Sequence, residues 1–244
     1  MTLTPARRKP PARLRPFWIP FTLAALLAVV GGYEAAIWPG FYPKHVVVTG
    51  NSVVSTSQIL AHAEVKRRES IWLQSPTAIA RRVEALAYIR TAVVHRWWPN
   101  GVRITVTQRR PFAVVVSGER RVLVDRDLRV LAPGAAPGLP RLILPSGVPL
   151  ATGAFLREAR LRALRADARL LHAAGIGITR LAYDHFGSLV ATMPSGMLLL
   201  LGSDSQLSHT LPLVRPLLER TARERQRVIT IDLRSPSTPI LIFK

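Results

Sequence analysis

Hydrophobic positions along the chain change period three times, and each change predicts an element. From Pro16 to Tyr33 every position is uncharged, PFWIPFTLAALLAVVGGY, and with AAIW after Glu34 the apolar span reaches about 22 residues. At ~1.5 Å per residue that is ~33 Å of helix, enough for a ~30 Å hydrocarbon core. Behind it the pattern becomes short and alternating. KHVVVTGN (Lys44–Asn51) reads as a strand ending in a Gly-Asn turn. Ser55 and Gln58 have capping-box spacing and open a short helix through Ile59, Leu60 and Ala63. Ser75-Pro76 supplies a cap and a first-turn proline. Ile79, Val83 and Leu86 then recur on one helical face, leaving Arg81, Arg82 and Glu84 toward water. A hairpin follows, in which Val93, His95 and Trp97 alternate with Val94, Arg96 and Trp98. Asn100-Gly101 offers the positive φ of a tight turn, and Val102, Ile104 and Val106 alternate on the return strand. The order is β-α-α-β-β, closing at about Gln108.

After Pro111 strands dominate: FAVVV, RRVLVD and LRVL, then the loop APGAAPGLP. Phe155 to Ala173 reads as a helix with the apolar stripe Leu161, Leu164, Ala168 and Leu171, and with Arg162, Arg165 and Arg169 on another face. Strands follow at 178–183, 189–192 and 197–201, then a helix over 205–223 that Pro212 and Pro216 kink or divide. Strands at 228–233 and 240–243 complete the pattern.

Charge changes the picture at the N-terminus. Arg7, Arg8, Lys9, Arg13 and Arg15 precede the apolar span with no acid among them, which keeps the short tail in the cytoplasm and sends the rest across. No small-x-small cleavage site follows Val30, so the span is read as an anchor rather than a cleaved signal. Trp18 lies near one end of it, and Tyr33 and Trp38 near the other. The whole chain carries +20, almost all from arginine, spread along the sequence rather than clustered. An anionic partner and general compositional bias both account for that balance. Arg96, Trp97 and Trp98 would suit stacked bases, but a basic domain outside the cytoplasm faces no nucleic acid, and tryptophan in a strand usually packs. Arg96 is then a solvated or partner-facing side chain. There is no cysteine, hence no disulfide and no thiolate chemistry.

Two stretches, VVVTGN (Val46–Asn51) and AVVHRWWPNGVRITVTQRRP (Ala92–Pro111), together with the β-α-α-β-β order, resemble the POTRA domain of the FtsQ/DivIB family of bacterial cell-division proteins. VLVDRDLRV (Val122–Val130), LPRL, LLLLG and IDLR (Ile231–Arg234) follow in that family's order. Gln108 stands where the family usually has Glu, Tyr88 where a proline is frequent, and Leu128 where it has a turn glycine.

The resemblance implies an α+β protein: a cytoplasmic basic tail (1–15), a transmembrane helix (16–38), a POTRA domain (42–110) and a β-rich C-terminal domain with two helical segments (111–244). Phe17, Trp18, Leu23, Leu26, Leu27, Val30 and Tyr33 would face lipid as a single type II span of the inner membrane. It also implies a non-enzymatic scaffold at the division septum that links early and late division proteins, with the coiled-coil proteins FtsB and FtsL among its partners. Strand 240–243 is expected at a sheet edge, docking FtsB by strand addition through Ile240, Leu241, Ile242 and Phe243. Arg234 would be a charged contact beside Ser235, where some members have an aromatic. A translocation or envelope-assembly component and a cell-wall-polymer-binding protein remain as alternatives. Six scattered histidines without metal spacing and no phosphate loop or nucleophile elbow argue for neither enzyme nor cofactor.

Overall fold

The computed structural model describes residues 18–223 and 228–243. The basic tail, Phe17 and Lys244 lie outside the described residues. Helix α1 covers Trp18–Ala36, and a single 3-10 turn, Pro39–Phe41, leads out of it. Among the described residues no helix is long and apolar enough to cross a membrane.

The first folded unit is built from β1 (His45–Thr49), α2 (Thr56–Ala63), α3 (Pro76–Glu84), β2 (Ile89–Trp97) and β3 (Gly101–Gln108), its sheet ordered β1-β3-β2. Both helices start where their caps stand. Ser55 and Gln58 form the full reciprocal capping box, and the Ser75 hydroxyl accepts from the Ala78 amide ahead of Pro76. Ile59, Ile79 and Val83 then pack on Ala92, Val94, Val102, Ile104 and Val106, with Leu86 at the margin. Gly50 is needed at the end of β1: its φ is +85°, and a Cβ there would fall 2.1 Å from the Val106 carbonyl oxygen.

Sequence expectations fail at several positions in this unit. Arg82 does not point to water: its Nε and Nη2 donate to the Ala63 carbonyl at 3.1 and 2.7 Å, satisfying the end of α2. Glu84 accepts from the Ala92 amide at 2.9 Å. The hairpin does not turn on Asn100-Gly101: Trp97 pairs directly with Gly101, and Trp98, Pro99 and Asn100 form the loop, with a cis Trp98–Pro99 peptide. Gly101 is required there because the Trp97 ring lies across it, 1.8 Å from where a Cβ would be. Arg96 is half-buried and donates to the carbonyls of Ile71, Trp72 and Gln74 instead of facing solvent. Trp98 is 72% exposed and buries little.

The second unit is one nine-stranded sheet, formed by β4 (Ala113–Ser117), β5 (Arg120–Val124), β6 (Val130–Pro133), β7 (Arg141–Leu144), β8 (Arg180–Tyr183), β9 (Leu189–Thr192), β10 (Leu198–Gly202), β11 (Val228–Asp232) and β12 (Ile240–Phe243). Its order is β12-β11-β10-β9-β8-β7-β4-β5-β6. Helix α4 (Ala159–Ala173) crosses between parallel β7 and β8, and α5 (Asp204–Arg223) between parallel β10 and β11. The stripe Leu161, Leu164, Ala168 and Leu171 is buried in one core with Leu142, Leu181, Leu199 and Ile231, α4 lying over β7 and β8. Helix α4 starts at Ala159, not at Phe155, because that stretch is held extended: Phe155 bridges Arg129, and the Leu156 amide donates to the Leu128 carbonyl. Helix α5 is undivided. Pro212 and Pro216 sit one turn apart on its exposed side, where water can take the carbonyls they leave unbonded.

A polar lock joins the units. Arg109 Nη1 donates to Asp125 Oδ2 and, at 3.0 Å, to Asp127 Oδ2, while its Nε reaches the Ile89 carbonyl. Arg129 crosses in the other direction to the carbonyls of Glu84 and Ala85. The Phe155 ring sits against both guanidinium groups, 5.5 Å from Arg109 and 5.4 Å from Arg129. Burial, with the Arg109 charge beside it, pulls Arg129 below the usual arginine range.

Candidate functional site

The nine-stranded sheet has two edges, and they are finished differently. At β6 the following chain folds back: Val130 exchanges both of its backbone bonds with Gly153 and Ala154. At β12 nothing does so among the described residues; β12 pairs with β11 and with no other strand. Alternate N–H and C=O groups along β12 therefore point away from the sheet.

The side chains fit that geometry. Leu241, opposite Ile231, packs against the core. Ile240 and Ile242 project to the other face, 55% and 46% exposed, and Phe243 is as exposed as Ile242. An apolar rim thus accompanies the open backbone. This arrangement can accept a strand, with backbone bonds on one side and two isoleucines to set its register.

Arg234 lies in the turn between β11 and β12 and is already engaged. Its Nε contacts both oxygens of Asp232 at 3.0 Å, its Nη2 donates to Oδ2 at 2.6 Å, and its amide donates to Oδ1. Those bonds hold the Asp232 carboxyl below the usual carboxylate range and raise Arg234 above the usual arginine value. Ser235 turns its hydroxyl toward Ser237 at 3.4 Å, and its carbonyl accepts from Thr238. The structure therefore brings Arg234 and Ser235 to the mouth of the β11–β12 hairpin, with β12 itself behind them. Leu23, Leu26, Leu27, Val30 and Tyr33 lie elsewhere, exposed on α1, whose first residue is Trp18.

The junction was not legible in the sequence: Arg109 follows β3, Asp125 and Arg129 share the β5–β6 turn, and Phe155 precedes α4, so the lock forms only when three distant stretches meet. Beside the lock opens a cleft of about 590 Å³ whose lining includes Arg90, Arg110, Arg126 and His172. Among the described residues no group of three His, Asp or Glu side chains could hold a metal ion.

Against known proteins, residues 41–109 match the family described as POTRA domain, FtsQ-type. Cell division protein FtsQ of Streptomyces venezuelae is 29% identical over 180 residues, covering 69% of this chain and 62% of that protein. Cell division protein FtsQ of Mycobacteroides abscessus is 24% identical over 220 residues, covering 89% of this chain and 66% of its own. The chain thus spans less than two thirds of the length of these relatives. The major extracytoplasmic domain of DivIB from Geobacillus stearothermophilus overlays with a TM-score of 0.32 at 13% identity, across 48% of this chain and 97% of that one.

Proposed function

We propose that this chain, which belongs to the FtsQ/DivIB family of bacterial cell-division proteins, is a non-enzymatic, membrane-anchored scaffold of the division machinery that captures a coiled-coil partner on its open β12 edge. The observation that carries the reading is that edge: unpaired on one side, apolar at Ile240 and Ile242, and followed back through a hairpin whose mouth holds Arg234. FtsB, with FtsL, is the partner the family relationship brings to it. The anchor is the uncharged run of residues 16–33 behind five basic residues, a pattern that favours both folded units lying outside the cytoplasm; the family relationship is what would bring them to the septum.

The test uses backbone chemistry. Along a strand, adjacent residues send their N–H groups to opposite sides. Of Leu241→Pro and Ile242→Pro, one therefore removes a donor aimed at β11 and the other a donor aimed outward. The outward variant should melt near the parent temperature and lose capture of purified FtsB–FtsL. Normal capture by both folded variants places docking elsewhere. A periplasmic-active reporter fused after Lys244 should be active, and a cytoplasmic-active one silent.

A second reading is favoured by the arginine-lined cleft at the junction, where Arg110 and Arg126 are exposed beside His172. That hollow suits an anionic cell-wall polymer. Retention on isolated sacculi that disappears in Arg110→Glu with Arg126→Glu would support it.

A further inference from the structure

The exposed tryptophans Trp38, Trp72, Trp97 and Trp98 are gathered at one end of the first unit, and it is the end α1 enters. Strand β1 begins at His45 opposite Gly101, and β2 ends at Trp97 opposite the same glycine, so three strand ends meet there. The linker after α1 is sewn into that end. The Asn100 side chain donates to the Gly40 carbonyl, the Lys44 amide to the Asn100 carbonyl, and the Ile71 amide to the Phe41 carbonyl. Arg96 draws the Ile71–Gln74 loop to the same place through its three carbonyl bonds.

Those ties bring four of the five tryptophans of the chain, Trp38, Trp72, Trp97 and Trp98, around the exit of α1. All four are exposed, and Leu73 beside Trp72 is exposed with them. A folded domain rarely leaves that much indole in water without a partner for it. The surrounding charge is mostly positive: Lys44, Lys66, Arg67, Arg68 and Arg103 are exposed, while Glu69 pairs with Lys66 at 2.7 Å and Glu64 with Arg82 at 3.5 Å. Arg103 is exposed and lies over the Trp97 ring, so cation and indole are presented together there, while half-buried Arg96 backs the Trp72 ring. Indole at headgroup depth among Lys and Arg is the chemistry of an interfacial membrane contact.

We infer that this end of the first unit is a lipid-docking collar that seats the domain on an anionic bilayer surface beside the anchor. The inference rests on the run of residues 16–33 being the anchor, as proposed above. The collar limits the tilt of the domain about the Pro39–Phe41 turn and thereby fixes the height above the membrane at which the rest of the chain works.

The chain has no cysteine, so single labelling sites can be introduced freely. The full chain, carrying an environment-sensitive dye at Leu73→Cys, Val53→Cys or Leu26→Cys, is reconstituted in vesicles of phosphatidylglycerol and phosphatidylethanolamine with shallow spin-labelled lipid for Leu73 and Val53 and with deep spin-labelled lipid for Leu26. Val53, exposed in the turn after β1 at the other end of that strand, is the control. The Leu73 dye should be quenched about twofold or more beyond the Val53 dye. Adding Trp38→Ser and Trp98→Ser should bring it back toward the control. If the Leu26 dye is quenched and the Leu73 dye matches Val53, the collar is refuted while the anchor stands. If the Leu26 dye is not quenched either, the anchor reading has failed and the collar with it. Equal quenching of Leu73 and Val53 above background would mean general adsorption of a basic protein, and overturns the collar as well.

Discussion

Arg109 and Asp125 meet across the junction between the two folded units, both nearly inaccessible to water, with Asp127 closing on the same nitrogen from the rim. A buried pair of this kind is weak evidence for net stability, because both charges give up their hydration. Its sign becomes clear only when one partner is removed.

Asp125→Asn leaves the Arg109 charge in place with only Asp127 to answer it, so a loss of about 3 kcal/mol is expected in urea unfolding. Arg109→Met should also destabilise. The double variant should cost less than the two singles together by about 1–3 kcal/mol. Additive losses would mean that the pair does not couple the units.

Leu128 occupies the turn after Asp127 with φ of +62°, a conformation that favours glycine, yet its side chain is buried in the second core. Two magnitudes compete in Leu128→Gly. Relief of the left-handed backbone returns roughly 1–2 kcal/mol. Loss of a buried leucine costs about 2–5 kcal/mol, and more backbone entropy with it. The variant should therefore be less stable by about 2 kcal/mol in thermal or urea melts; a gain would show that the turn, not the core, governs this position.

These two cases also mark what the sequence could disclose. Elements whose causes are local were legible: the Ser55–Gln58 box, the Ser75-Pro76 start and the leucine stripe of α4 all sit within a few residues of what they determine. The edge position of β12 was legible for a related reason, since its one neighbour comes through a short turn. Arg82, Arg96 and Arg129 were misread or missed because their acceptors are distant. Arg129 bonds to carbonyls 45 and 44 residues back, and Arg96 to carbonyls 25 to 22 residues back. A guanidinium in a periodic pattern looks solvated until the chain brings it an orphan carbonyl. The Asn100-Gly101 signal misled in another way, because its glycine serves the Trp97 ring rather than the turn.

The Asp232–Arg234 contact makes the β11–β12 hairpin sensitive to acid. The Asp232 carboxyl is depressed in the folded state, first by its side-chain bond to Arg234. Its contribution is therefore fully present above the unfolded carboxylate value of about 4 and is lost as pH falls through the lower folded value. Amide exchange in Ile240–Phe243, corrected for intrinsic rates, should accelerate below about pH 4 relative to the α4 amides. Asp232→Asn should exchange faster at neutral pH and lose that dependence. An unchanged profile in the variant would assign the acid response to another group.

Gln108 closes β3 in an unusual way. Its Oε1 accepts three donors, the Ser52 amide at 3.0 Å, the Ser52 hydroxyl at 2.8 Å and the Val53 amide at 2.9 Å, while its Nε2 is buried with no partner. The site is built for an acceptor, and the amide brings it a donor that goes unused. A carboxylate of the same length would keep the three bonds, make them charge-assisted and remove the stranded N–H. Gln108→Glu should therefore raise stability at pH 7 by about 1 kcal/mol, a size set by one improved bond and one relieved donor. The sign can be checked against pH. A carboxylate held by three donors titrates below its unfolded value, so the gain should persist above about pH 4.3 and vanish as pH falls below it. Melting curves of the two proteins at pH 7 and pH 3 decide the matter: a variant no more stable than the parent at pH 7 would show that burying the charge costs as much as the three donors return.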